Sequence, residues 1–84
     1  MPNGDHWGPG YVRVMLKDCA KELSHNLSKH PDLDKPAFRE LITNCFKITS
    51  SDGPMSDVWK ALSLLANAGY QVSLQIEQEQ KLRH

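Results

Sequence analysis

The chain reads as a mainly α-helical protein, a small three-helix domain with one C-terminal β-strand, and three observations carry that expectation. Apolar residues recur at steps of three and four through three successive stretches, the period of a helix with one buried face. The stretches are divided by His30-Pro31 and by the turn-forming run Thr49-Ser50-Ser51-Asp52-Gly53-Pro54. After the third, Tyr70, Val72, Leu74 and Ile76 alternate with Gln71, Ser73 and Gln75, which is the period of a half-buried strand.

Met1 to Gly10 is rich in glycine and proline and is expected to form a flexible arm, with Trp7 as its one large anchor. Helix one is expected from Tyr11 to Lys29, on the stripe Val12, Leu16, Cys19, Ala20, Leu23 and Leu27. His30-Pro31 ends it, because the residue before proline avoids helical dihedrals. Helix two should begin at Asp34 as N-cap, with Pro36 in the first turn, where its missing N–H costs nothing. Its apolar stripe is Phe38, Leu41, Ile42, Cys45 and Phe46. Helix three should open at Ser56, bury Val58, Ala61, Leu62, Leu65 and Ala66, and stop at Gly69 in a left-handed turn. Trp59 and Leu64 lie off that stripe, so this helix is expected to pack on two sides. The strand Tyr70–Ile76 follows, and Glu77 to His84 forms a charged tail, either a short helical extension or a frayed end. The domain proper is thus residues 11–76.

A lone strand leaves its backbone donors and acceptors unpaired. The reading that satisfies them is pairing across a homodimer, with Tyr70, Val72, Leu74 and Ile76 at the interface. An 84-residue chain buries a modest fraction of its surface, and dimerisation would enlarge the core.

Ten basic and ten acidic side chains cancel, so no strong overall field steers the protein toward nucleic acid or anionic lipid. Cys19 and Cys45 both fall at apolar helical positions and are expected to be buried free thiols. With no signal peptide or transmembrane stretch in evidence, the expected setting is the reducing cytoplasm, away from membranes.

Candidates for catalysis are weak. His25 and His30 are badly spaced as ligands on one helical face, and no metal is expected. Asp32, Asp34, Asp52 and Asp57 read as loop and cap residues, no Gly-x-Ser-x-Gly elbow occurs, and no glycine-rich phosphate loop is present. No cofactor and no enzymatic activity are expected. The remaining signal is the outer face of helix two. Arg39, Thr43, Asn44 and Lys47 share it and continue into Thr49, Ser50 and Ser51, residue types that bind phosphates or read base edges.

The stretch from Phe46 to Ile76 resembles the C-terminal half of the putative addiction-module antidote proteins, short antitoxins and repressors of the lambda-repressor-like helix-turn-helix class. The likeness rests on Ser50-Ser51-Asp52-Gly53-Pro54 as the turn after a recognition helix, Lys60-Ala61-Leu62-Ser63-Leu64-Leu65 as a leucine-patterned helix, Asn67-Ala68-Gly69 as its stop, and Tyr70 to Ile76 as the strand. It covers little more than a third of the chain. The resemblance implies that Thr43, Asn44 and Lys47 face the major groove, and that the protein is a dimer reading two half-sites. It also implies a toxin as protein partner.

Two functions are therefore expected. One is a DNA-binding transcriptional regulator or antitoxin, with Arg39, Thr43, Asn44, Lys47, Thr49 and Ser50 on the DNA. The alternative is a non-enzymatic interaction module from a phage or mobile element, which captures a partner through its edge strand.

Overall fold

Val12, Leu16, Ala20, Leu23 and Leu27 follow one another at steps of three and four and are all at least nine-tenths buried. They form the inner stripe of α1 (Pro9–Lys29) in a computed structural model that describes residues 9–82. The helix starts two residues before its expected beginning, so Pro9 and Gly10 belong to it rather than to an arm. Trp7, the expected anchor of that arm, lies outside the described residues. At the other end α1 stops where proline requires, with His30 at φ −128 and ψ 73 before a single 3-10 turn, Pro31–Leu33.

Asp34 was expected to cap the next helix and does something else. The cap is Lys35, in extended conformation, and no side chain bonds the helix start. The Lys35 carbonyl accepts from Phe38 N at 3.0 Å and Arg39 N at 3.2 Å, and Pro36 occupies the first turn of α2 (Pro36–Thr49) as expected. Ile42 and Cys45 are its fully buried residues, while Phe38, Leu41, Phe46 and Ile48 are half-buried against the same core.

The third helix carries the main correction. α3 begins at Met55, one residue before Ser56, and continues without a break to Leu82. Among the described residues there is no β-strand, and no glycine has a positive φ. Gly69 is therefore mid-helix rather than a stop, and the expected strand of Tyr70, Val72, Leu74 and Ile76 is helical. The reason is visible in the spacing. Val72 and Ile76 fit a two-residue period, but they also extend the helical series Val58, Ala61, Leu65, Ala68. A short apolar run fits both periods. The helix pairs its own backbone groups, whereas a solitary strand leaves a row of them unmatched. The glutamines, glutamates and lysine from Gln71 to Lys81 are good helix formers and favour the same outcome. Glu77 to Leu82 is accordingly a helical extension.

The helices run up, down and up. Arg13, near the start of α1, meets the end of α2, and Ser24, in its second half, meets Arg39 near the start of α2. α1 and α3 lie parallel, with His30 Nδ1 at 3.9 Å from Glu79 Oε2 where α1 ends. The core of the bundle is closed by apolar side chains alone, with no polar residue buried among the described residues. Cys45 is in that core, and desolvation pushes its thiol pKa up. Cys19, expected to be buried as well, is exposed, on the flank of the α1 stripe where it lines an open groove between α1 and α3. No described helix is long and apolar enough to cross a membrane.

Candidate functional site

The outer face of α2 gathers four of the six expected DNA contacts. Arg39, Thr43, Asn44 and Lys47, spaced at steps of three and four, line one shallow depression of about 420 Å³ together with Glu40. Their chemistry is less available than their types imply. Arg39 is folded back onto Asp34, with Nε donating at 2.9 Å to both carboxylate oxygens and Nη2 donating to Oδ2 at 2.8 Å. Its Nη1 also donates to Ser24 Oγ at 3.2 Å. Hydrogen bonding to Asp34 raises the Arg39 pKa further, so the group stays charged, but its charge is already matched. Glu40 then adds an acid to the same depression.

Thr49 and Ser50 do not join this face. Thr49 Oγ1 donates to the Phe46 carbonyl at 2.8 Å and Ser50 Oγ donates to the same oxygen at 3.1 Å. Both hydroxyls thus finish α2 by satisfying one of its terminal carbonyls. Thr43, Asn44 and Lys47 are exposed and make no side-chain hydrogen bond among the described residues. They are the part of the expected surface that faces solvent unengaged.

The expected dimer residues are split apart by the helix. Val72 is 2 % exposed, inside the bundle, and Ile76 is half-buried against the core. Tyr70 is 64 % exposed. Leu74 lines a second depression, of about 480 Å³, between the start of α2 and the later half of α3, with Leu33, Lys35, Phe38 and three glutamines, Gln71, Gln75 and Gln78. Lys35 lies over the Phe38 ring at 6.0 Å from its centroid.

A third, smaller groove of about 230 Å³ runs between α1 and α3, past Cys19, Glu22 and Asn26 on one side and Ala66, Gly69 and Ser73 on the other. Beside it, the solvent side of α3 carries Trp59, 53 % exposed, and Tyr70. They are eleven residues apart, three turns of helix, and so return to the same side of α3. Sequence reasoning placed Trp59 off the buried stripe but assigned Tyr70 to a strand, and so missed that the two share a face. The signal was present in their spacing, hidden by the two-residue alternation that begins at Tyr70.

The residue that sequence reasoning missed altogether is Arg13. Its Nη1 donates to the Ile48 carbonyl at 3.0 Å and to the Ser51 carbonyl at 2.7 Å, and its Nη2 donates to the Gly53 carbonyl at 2.7 Å. It holds the end of α2 and the following turn against α1. No group of three or more His, Cys, Asp or Glu side chains is placed to hold a metal ion among the described residues. The one deeply buried thiol, Cys45, has its pKa raised and is therefore protonated at neutral pH. No protein-family model, no curated protein and no solved structure matches this chain.

Proposed function

We propose that this chain is a non-enzymatic docking module that binds protein through the outer face of α3. The single observation that carries the reading is the pair Trp59 and Tyr70, two large aromatic side chains more than half exposed on one side of α3. Tryptophan and tyrosine supply large contact area at little conformational cost and dominate measured interface energies. A chain with no net charge suits a partner recognised by packing more than one recognised by long-range electrostatics.

A second reading, a DNA-binding regulator or antitoxin using α2, is favoured by one observation. Thr43, Asn44 and Lys47 are exposed together on the depression of α2. Against it stand the matched charge of Arg39 and the acid Glu40. The α1–α2 connection is also a hairpin of antiparallel neighbours, whereas a helix-turn-helix crosses its two helices steeply through a short turn.

Two measurements on the full chain separate these readings. The first is anisotropy of a labelled random-sequence duplex, titrated with protein at low and raised salt. The second places a photo-crosslinking amino acid at position 70, with position 47 as control. Docking through α3 is expected to give protein adducts of discrete mass from position 70 and none from 47, with no salt-dependent duplex binding. Salt-dependent binding that Lys47→Ala weakens and Tyr70→Ala leaves unchanged would overturn it in favour of the DNA reading.

A further inference from the structure

We infer that the occupant of the α3 face is α3 of a second copy of this chain, packed antiparallel across a two-fold axis that passes between Ala66 and Tyr70. The inference rests on the docking reading above and names its partner.

The exposed residues of α3 on the Trp59 side are Trp59, Ser63, Ala66, Tyr70, Ser73 and Glu77. Their steps are four, three, four, three and four, which is the seam spacing that lets one helix lie along another. The same six positions are self-complementary when one copy is turned over. Tyr70 then faces the partner's Ala66, Ser63 faces the partner's Ser73, and Trp59 faces the partner's Glu77. A large ring meets a small side chain at each of the two central contacts, and the groove between α1 and α3 beside Ala66 has space at that level.

Charge fits the same register. On α3 the only basic residue in the early half is Lys60, exposed beside Trp59, and the exposed acid Glu77 lies in the later half. Antiparallel pairing brings Lys60 within reach of the partner's Glu77, twice by symmetry. Parallel pairing would set Glu77 against Glu77 and leave each Lys60 several turns away from it, so the charges favour the antiparallel orientation.

Gly69 is an independent sign of close approach. It is helical, its φ is negative, and a Cβ built on it would meet nothing within 4 Å. Nothing inside the protomer therefore calls for a glycine there, although glycine weakens a helix interior. It lies beside the centre of the proposed contact, where a missing side chain lets a second helix come near.

The test is sedimentation equilibrium of the full chain over a dilution series, with circular dichroism on each variant to confirm that helical content is kept. The wild-type chain is expected to show a monomer–dimer equilibrium. Tyr70→Ala should weaken the dimer about tenfold or more, since two rings are lost per dimer. Lys60→Glu and Glu77→Lys should each weaken it, and the double variant carrying both should regain most of the loss, which a merely structural role for either residue does not produce. A chain that stays monomeric at every concentration, or a dimer that ignores all three substitutions, overturns the inference. If the chain is monomeric yet position 70 still gives adducts of a mass other than a doubled chain, the second copy is wrong and the docking reading stands. If position 70 gives no adduct, both fall.

Discussion

Arg13 Nη2 donates to the carbonyl of Gly53 at 2.7 Å, across a separation of 40 positions in the chain. With Ile48 and Ser51 accepting from Nη1, one guanidinium satisfies three carbonyls at and beyond the end of α2. The planar fork matches this task, because its donors are held in fixed directions and serve several acceptors together.

Arg13→Ala is therefore expected to lower unfolding free energy by about 1–3 kcal/mol, since two part-buried hydrogen bonds and one exposed one from a charged donor are lost. Arg13→Lys should recover only part of this, having one ammonium where three carbonyls diverge. Urea denaturation followed by circular dichroism gives both values. An unchanged midpoint for Arg13→Ala would show that water replaces the clamp at no cost.

At concentrations too low for self-association, Gly69→Ala should stabilise the protomer by about 0.5–1 kcal/mol, because alanine is the better helix former and its methyl meets open space within the protomer. A left-handed stop at this position would give the opposite sign, since alanine is strained at positive φ. Thermal unfolding of this one variant thus distinguishes a continuous α3 from a helix that ends at Gly69.

Val72→Ala and Tyr70→Ala form a matched pair. The first is expected to cost about 2 kcal/mol of protomer stability through lost burial and an unfilled space, while the second changes protomer stability little. In a strand the two side chains would share one face and respond together. Denaturation at concentrations too low for self-association reads the protomer alone.

The cysteines should separate sharply by reactivity. Cys19 is exposed and is expected to react with an aromatic disulfide reagent in the native protein, whereas Cys45 waits for unfolding. Cys45 also has a pH signature. Its folded pKa is raised from the ordinary value of 9.0, so the folded state holds the proton more tightly than the unfolded state. Its contribution to stability is complete below the unfolded pKa and is lost as pH rises through the folded one. Stability measured from neutral to alkaline pH should fall at the high end, and Cys45→Ala should flatten that slope whatever it does to the absolute value.

Asp34→Ala releases Arg39 from its ion pair. Both partners are partly exposed, so stability should change little. If the α2 face binds DNA, the freed guanidinium should tighten duplex binding and steepen its salt dependence. Under docking through α3, the anisotropy of the duplex stays flat in both proteins.

Local rules in the chain reach as far as the elements and their punctuation. The stripes of α1 and α2, the stop at His30-Pro31, Pro36 in the first turn of α2 and the break around Gly53-Pro54 depend on neighbours a few positions away, and each was legible without a structure. The grouping of Arg39, Thr43, Asn44 and Lys47 was legible for the same reason, being set by helical spacing alone. Tertiary structure decided the rest. Whether Tyr70 to Ile76 became strand or helix turned on what was available to cover Val72 and Ile76, and α1 and α2 supplied that cover without a second strand. Packing likewise put Cys45 inside and Cys19 outside, although both sit at apolar positions of their helices. It brought Arg13 to Gly53, whereas the pairing of Arg39 with Asp34 spans only five positions and matches the charge where it stands, at the surface. Contacts between residues tens of positions apart have no local signature, because their energy appears only once the helices lie side by side.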